Sequence, residues 1–112
     1  MITVVEQDQE QLRSLVGRLI LSLQAGEMDQ LAWEELTSLS RALTLRLRAS
    51  PLVPKSLLKE LRFAIKAMRA EAVRHKDHQR LLKMADELEL TFDLILVGEA
   101  HGDRVPGVPR II

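Results

Sequence analysis

Apolar residues recur along this chain at intervals of three and four, which places them on one face of an α-helix. Four such stretches follow one another, separated by short polar or proline-containing segments. We therefore predict four helices, over residues 4–25, 30–48, 54–75 and 78–97. The remaining residues, 99–112, have no helical period and contain two glycines and two prolines, so we predict an extended tail there.

Residues that favour helix termini stand at most of these boundaries. Thr3 and Glu6 have the spacing of a capping box, and Asp29 is suited to cap the second helix. Pro54 fits the first turn of the third helix, and Gly98 fits a left-handed end of the fourth. Local chemistry thus supports the boundaries that the apolar pattern indicates.

The boundary between the third and fourth helices has the weakest signal. Residues 73–78 contain neither glycine nor proline, but the apolar stripe is lost there and Asp77 is a suitable N-cap. We predict a tight turn in this segment. The alternative is one continuous helix over residues 54–97.

Each predicted helix carries an apolar stripe, and the connections between helices are short. These properties predict an all-α fold, an antiparallel four-helix bundle formed by residues 1–98 and followed by the tail. Composition agrees, since 46% of the 112 residues are apolar and 29% are charged, as in globular domains. The abundance of leucine and alanine and the scarcity of aromatic residues favour helices over strands.

Composition and motifs also argue against several classes of function. The chain has no cysteine, which excludes disulfides and thiolate metal sites. No stretch reaches the roughly 20 apolar residues of a membrane span, and the first residues lack the pattern of a signal peptide, so we expect a cytoplasmic protein. No phosphate-binding loop, nucleophile elbow or zinc motif is present, so we expect no enzymatic activity, no cofactor and no metal site. We expect the three histidines at the surface.

Charge is distributed unevenly although the net charge is zero. Residues 1–40 carry seven acidic and two basic side chains, residues 41–83 carry three acidic and twelve basic ones, and residues 84–112 carry six acidic and two basic ones. Much of this basic excess forms a row on the third helix, within an arc of about 80°. The row, with the aromatic residue beside it, consists of Lys55, Lys59, Arg62, Phe63, Lys66 and Arg69.

The basic row has several interpretations. A basic ridge with one aromatic residue can bind an acidic protein or the phosphates of a nucleic acid. It can also be an ordinary solvated face, or it can face the acidic residues of the first and fourth helices. The zero net charge and the few aromatic residues disfavour nucleic acid.

The fourth helix has a second apolar side in its C-terminal half, formed by Leu90, Leu94 and Val97. A helix that is apolar on two sides needs cover on both of them. The tail, a second copy of the chain in a homodimer, or another partner can supply that cover. The tail residues suited to docking, in the same chain or on a neighbouring subunit, are Val105, Val108 and Ile111.

These features together favour a non-catalytic protein–protein interaction module, either an inhibitor or antidote of the immunity type or an adaptor. Its partner is expected to be another protein, and no membrane is expected to take part. The alternative is a nucleic-acid-binding or regulatory protein that uses the basic face of the third helix. An enzyme or cofactor carrier would need a polar cavity in the core, and the predicted inward positions are nearly all apolar.

Overall fold

The computed structural model describes residues 4–101, with side chains from residue 6 onwards, and confirms the all-α, four-helix prediction. Each helix begins and ends within three residues of its predicted bounds, and the alternative of one continuous helix over 54–97 is wrong. Thr3 and the tail residues beyond 101 lie outside the described residues. The helices are α1 (Val4–Gln24), α2 (Gln30–Arg46), α3 (Lys55–Ala72) and α4 (His78–Val97).

The four helices form two hairpins that pack side by side. α1 packs on α2 in the first hairpin, α3 packs on α4 in the second, and the hairpins join through α1 with α3 and through α2 with α4. Within residues 4–101, the consecutive helices α2 and α3 are not neighbours, and neither are α1 and α4. The connection from α2 to α3 therefore crosses the diagonal of the bundle.

Side-chain contacts give the direction of α3 relative to α1. Near the start of both helices, Gln9 Nε2 donates a hydrogen bond to Ser56 Oγ at 2.6 Å. One turn further along, Arg13 Nε lies 3.9 Å from Glu60 Oε2. The residue offset is the same in both contacts, so α1 and α3 run parallel.

The other pair of neighbours from different hairpins, α2 and α4, also runs parallel. Arg80 hydrogen bonds to Gln30 near the starts of these helices. Just beyond their ends, the Ala49 N–H donates to the Gly98 carbonyl at 2.9 Å. Within each hairpin the helices run antiparallel, because only a few residues connect them, so the predicted antiparallel arrangement holds within the hairpins and not between them.

The core is one continuous apolar cluster to which all four helices contribute. Full burial of a leucine or methionine side chain stabilises the fold by roughly 1.5–3 kcal/mol relative to exposure. The large core side chains with almost no exposure include Leu12, Leu19, Leu36, Leu43, Leu57, Leu61, Met68, Leu81, Leu88 and Ile95.

None of the four helices, as far as they are described, has the length and apolarity needed to cross a membrane.

The turn between α1 and α2 is held by a short chain of hydrogen bonds. Asp29 caps α2 as predicted, because its Oδ1 accepts a hydrogen bond from the Ala32 N–H at 2.9 Å. The Asp29 N–H donates to Ser22 Oγ at 3.0 Å, and Ser22 Oγ donates to the Leu19 carbonyl at 2.6 Å. One serine hydroxyl thus joins the end of α1 to the start of α2.

The His75 side chain hydrogen bonds to both hairpin turns and so links them. Its Nδ1 accepts a hydrogen bond from the Asp77 N–H at 2.9 Å, so the other ring nitrogen, Nε2, carries the proton that is donated to the Glu27 carbonyl at 3.0 Å. The expectation of a surface position is therefore wrong for His75, which is buried. His78 is exposed, and its Nδ1 donates to the Ala72 carbonyl at the end of α3 at 2.6 Å.

Gly98 ends α4 in the left-handed conformation, with φ of 74°, as predicted. Its carbonyl accepts the hydrogen bond from Ala49, which holds the connection between α2 and α3 against the end of α4. A Cβ atom at Gly98 would lie 3.2 Å from the Ala49 Cα. Both the backbone angle and this close approach therefore require glycine.

We predict that three glycine-to-alanine substitutions, compared by urea denaturation, will separate the effect of a positive φ from the effect of the close approach to Ala49. Gly17→Ala should stabilise the fold by about 0.5–1 kcal/mol, since Gly17 is in the interior of α1 and its Cβ would meet no atom within 4 Å. Gly26→Ala should destabilise it by about 1–2 kcal/mol through its φ of 79° alone. Gly98→Ala should be the most destabilising, and equal effects for Gly26 and Gly98 would contradict the close approach.

Candidate functional site

Five residues of α3 form an exposed surface, here called the α3 basic surface. Because α3 packs on both α1 and α4, its apolar stripe faces the core and the opposite side faces outward. Phe63 is 54% exposed although it is aromatic. The surface consists of Lys55, Lys59, Arg62, Phe63 and Lys66, all of them exposed.

Arg69, the sixth residue of the predicted row, does not belong to this surface. Its guanidinium hydrogen bonds to Glu89 and, at 3.0 Å, to Asp86 Oδ1, both on α4. These hydrogen bonds raise the pKa of Arg69 above its usual value. The interpretation that the basic row faces acidic residues of the fourth helix thus applies to Arg69.

The α3 basic surface has four cations, Lys55, Lys59, Arg62 and Lys66. None of them has a carboxylate partner within residues 4–101. The two carboxylates of α3 are engaged elsewhere, since Glu60 pairs with Arg13 of α1 and Glu71 pairs with Arg74 at 3.3 Å. The surface therefore combines unpaired positive charge with one exposed aromatic ring.

The predicted apolar patch on α4 is not a continuous exposed surface. Leu94 is 4% exposed and is thus buried by the chain itself, whereas Leu90 and Val97 are 46% and 48% exposed. Leu96, which sequence analysis did not single out, is 56% exposed. The tail residues proposed to dock there, Val105, Val108 and Ile111, lie outside the described residues.

A cavity of about 140 Å³ lies between α2 and α4. Trp33 and Leu88 contribute apolar surface, and Ser40 and Thr91 contribute hydroxyl groups. Ser40 is 1% exposed, and its Oγ has no hydrogen-bond partner within the part of the chain that is described. This cavity was not predicted from the sequence, because the expected inward residues were nearly all apolar.

His101, just after α4, closes one side of this cavity. Its Nε2 lies 2.8 Å from Thr91 Oγ1, so the two side chains share a hydrogen bond. Burial lowers the pKa of His101 below its usual value, and the positive charge of Arg41 lowers it further. The imidazole is therefore held in its neutral form more firmly than a fully exposed one.

Leu94 and Leu96 provide a matched pair for testing which part of α4 is buried. We predict that Leu94→Glu will lower the free energy of unfolding by at least about 3 kcal/mol, because it places an unpaired charge in a buried site. Leu96→Glu should change it by no more than about 0.5 kcal/mol. The measurement is urea denaturation of both variants, and similar losses would contradict the assigned burial.

The pKa of His101 gives a pH prediction with a definite sign. Because the folded pKa lies below the unfolded one, the unfolded chain binds more protons, and acidification through the usual histidine range near 6.5 destabilises the fold. His101→Gln keeps a polar side chain but cannot titrate. Between about pH 8 and pH 5, the wild type should lose more unfolding free energy than His101→Gln. Parallel stability profiles would contradict this prediction.

Among residues 4–101, no group of three or more histidine or acidic side chains is placed to hold a metal ion. Comparisons with known protein families, with curated proteins and with solved structures gave no match to this chain. Its function is therefore inferred from the chemistry of the α3 basic surface and of the α2–α4 cavity.

Proposed function

We propose that this protein is a non-catalytic interaction module that binds an acidic protein through the α3 basic surface. The observation that carries this proposal is a set of exposed cations around an exposed phenylalanine, for which residues 4–101 provide no carboxylate partner. An inhibitor or an adaptor acts through a surface of this kind, because it needs a partner and no catalytic group.

The charge pattern of α3 supports an external partner. Lys59, Arg62 and Lys66 are three, four and seven residues apart, so they are neighbours along one side of the helix. Like charges at these spacings repel each other and destabilise a helix by a few tenths of a kcal/mol per pair. A carboxylate-bearing partner would relieve this repulsion, and no described residue of the chain does so for these three side chains.

Phe63 favours a protein as the partner. Interfaces between proteins are enriched in aromatic residues and arginine, and a few such residues contribute most of the binding energy. Phe63 lies beside the basic arc and presents its ring to solvent, so it can enter a pocket while the cations contact acidic groups around it. This arrangement resembles an apolar anchor with a charged rim.

Two observations disfavour nucleic acid as the ligand. A net positive charge favours binding to the phosphates of a nucleic acid, and this chain has a net charge of zero. Single-stranded nucleic acids are bound by stacking on several aromatic side chains, and the chain has only three aromatic residues, of which Trp33 is buried in the core. Nucleic-acid binding is therefore the alternative that the experiment has to distinguish from binding of an acidic protein.

We predict that charge reversal on α3 will abolish partner binding. The full chain, immobilised, is used to capture proteins from a lysate of the source cell treated with nuclease. Lys59→Glu/Lys66→Glu should lose the partner that the wild type retains. The matched control Lys76→Glu/Lys83→Glu, which reverses two exposed lysines away from the surface, should retain it.

Two further variants test the aromatic residue with the partner once purified. Phe63→Ala should weaken its affinity by about tenfold or more, whereas Leu96→Ala, at an equally exposed apolar position, should leave it unchanged. A captured protein that Lys59→Glu/Lys66→Glu retains would contradict the proposal. Binding of a 20-base-pair duplex or a single-stranded RNA that falls steeply with salt would favour the nucleic-acid alternative instead.

A further inference from the structure

The α2–α4 cavity is separate from the α3 basic surface. It lies at the seam where the two hairpins join through α2 and α4, and α2 does not pack against α3. Its chemistry is also different, because it combines buried hydroxyl groups and apolar walls with one charge of each sign. Any ligand of this cavity is therefore independent of the partner proposed above.

The hydroxyl groups around the cavity are not equivalent. Thr37 Oγ1 donates to the Trp33 carbonyl at 2.8 Å, and Thr91 is engaged with His101. Ser40 Oγ, in contrast, is buried without a partner in the described chain. This oxygen has almost no accessible surface, so a ligand in the cavity does not reach it, and Ser40 belongs to the wall of the cavity.

Two opposite charges line the same cavity, Arg41 on α2 and Glu87 on α4. Neither side chain forms an ion pair within residues 4–101. Burial and the positive charge of Arg41 lower the pKa of His101, and Arg41 and Glu87 are the oppositely charged residues that line the cavity. A ligand that complements both groups must itself carry both charges.

The size of the cavity restricts the ligand further. Pockets for nucleotides and other drug-sized molecules have volumes of roughly 300–1,000 Å³, and a cavity of about 150 Å³ holds benzene. A volume of about 140 Å³ thus accommodates a molecule of roughly six to eight non-hydrogen atoms. Trp33, Leu88 and Leu90 supply an apolar wall for part of this molecule.

We propose that the α2–α4 cavity binds a free α-amino acid with a small apolar side chain, of the size of alanine or valine. The carboxylate is bound by the Arg41 guanidinium, and the ammonium group is bound by the Glu87 carboxylate. The apolar side chain packs against Trp33 and Leu88. This assignment pairs the two charges with complementary ligand groups and the apolar wall with the apolar side chain.

The test is isothermal titration calorimetry of the full chain with L-valine and with two analogues that each lack one charge. 3-Methylbutanoate lacks the ammonium group, and isobutylamine lacks the carboxylate. L-Valine, titrated to about 10 mM, should bind, and each analogue should bind at least about tenfold more weakly. The same ligand should raise the thermal unfolding temperature of the protein.

Variants identify the site. Glu87→Gln and Arg41→Gln should each weaken L-valine binding by about tenfold or more, since each removes the partner of one ligand charge. Ser40→Ala should leave L-valine binding unchanged, because the ligand does not reach Ser40 Oγ, and it should not destabilise the free protein, because this hydroxyl has no partner in the described chain. The matched controls, Glu10→Gln on α1 and Lys83→Gln on α4, should bind L-valine as the wild type does.

Three results would overturn the proposal. Absence of binding for alanine and valine at about 10 mM, with the variants and the wild type all folded, would show that the cavity is no amino-acid site. Equal binding of 3-methylbutanoate would indicate a simple anion site. Unchanged affinity in both Glu87→Gln and Arg41→Gln would place the bound ligand elsewhere. None of these results bears on Lys59 or Lys66, so the α3 proposal is tested separately.

Discussion

The packing of α1 against α3 converts two helical hairpins into one domain. A lone hairpin can bury only part of each apolar stripe, and most of the stability of a helix in a protein comes from packing that stripe. Leu12 and Leu19 of α1 and Leu57 and Leu61 of α3 are fully buried. The second seam, between α2 and α4, contains the cavity and the buried hydroxyl residues Ser40 and Thr91.

The placement of α3 in this arrangement accounts for its outward basic side. α3 touches α1 on one flank and α4 on the other, which leaves a third flank that none of the other described helices covers. Only Arg69 is close enough to α4 to be neutralised there. Lys59 and Lys66 lie on the uncovered flank, so their charges contribute to the surface rather than to the stability of the bundle.

Local signals allowed the helix bounds to be predicted, whereas tertiary arrangement did not follow from them. Asp29 and Gly98 mark helix ends through their own chemistry, and the structure uses both as predicted. The diagonal placement of α2 and α3 was not predictable, because one apolar stripe per helix fits several orders of neighbours. The cavity was missed although Ser40 and Thr91 occupy inward positions, since only tertiary contacts bring these hydroxyls, 51 residues apart, together.

Hydrogen bonds link the two hairpins at both ends of the bundle, and together they restrict how the hairpins can move. At one end the imidazole of His75 ties the two turns together, and at the other the backbone of Ala49 is bonded to Gly98. Sliding of one hairpin along the other by one helical turn, about 5.4 Å, would break the hydrogen bonds at both ends at once. Widening of the seam between α2 and α4 would likewise have to break the Ala49–Gly98 hydrogen bond, so one backbone contact opposes both motions.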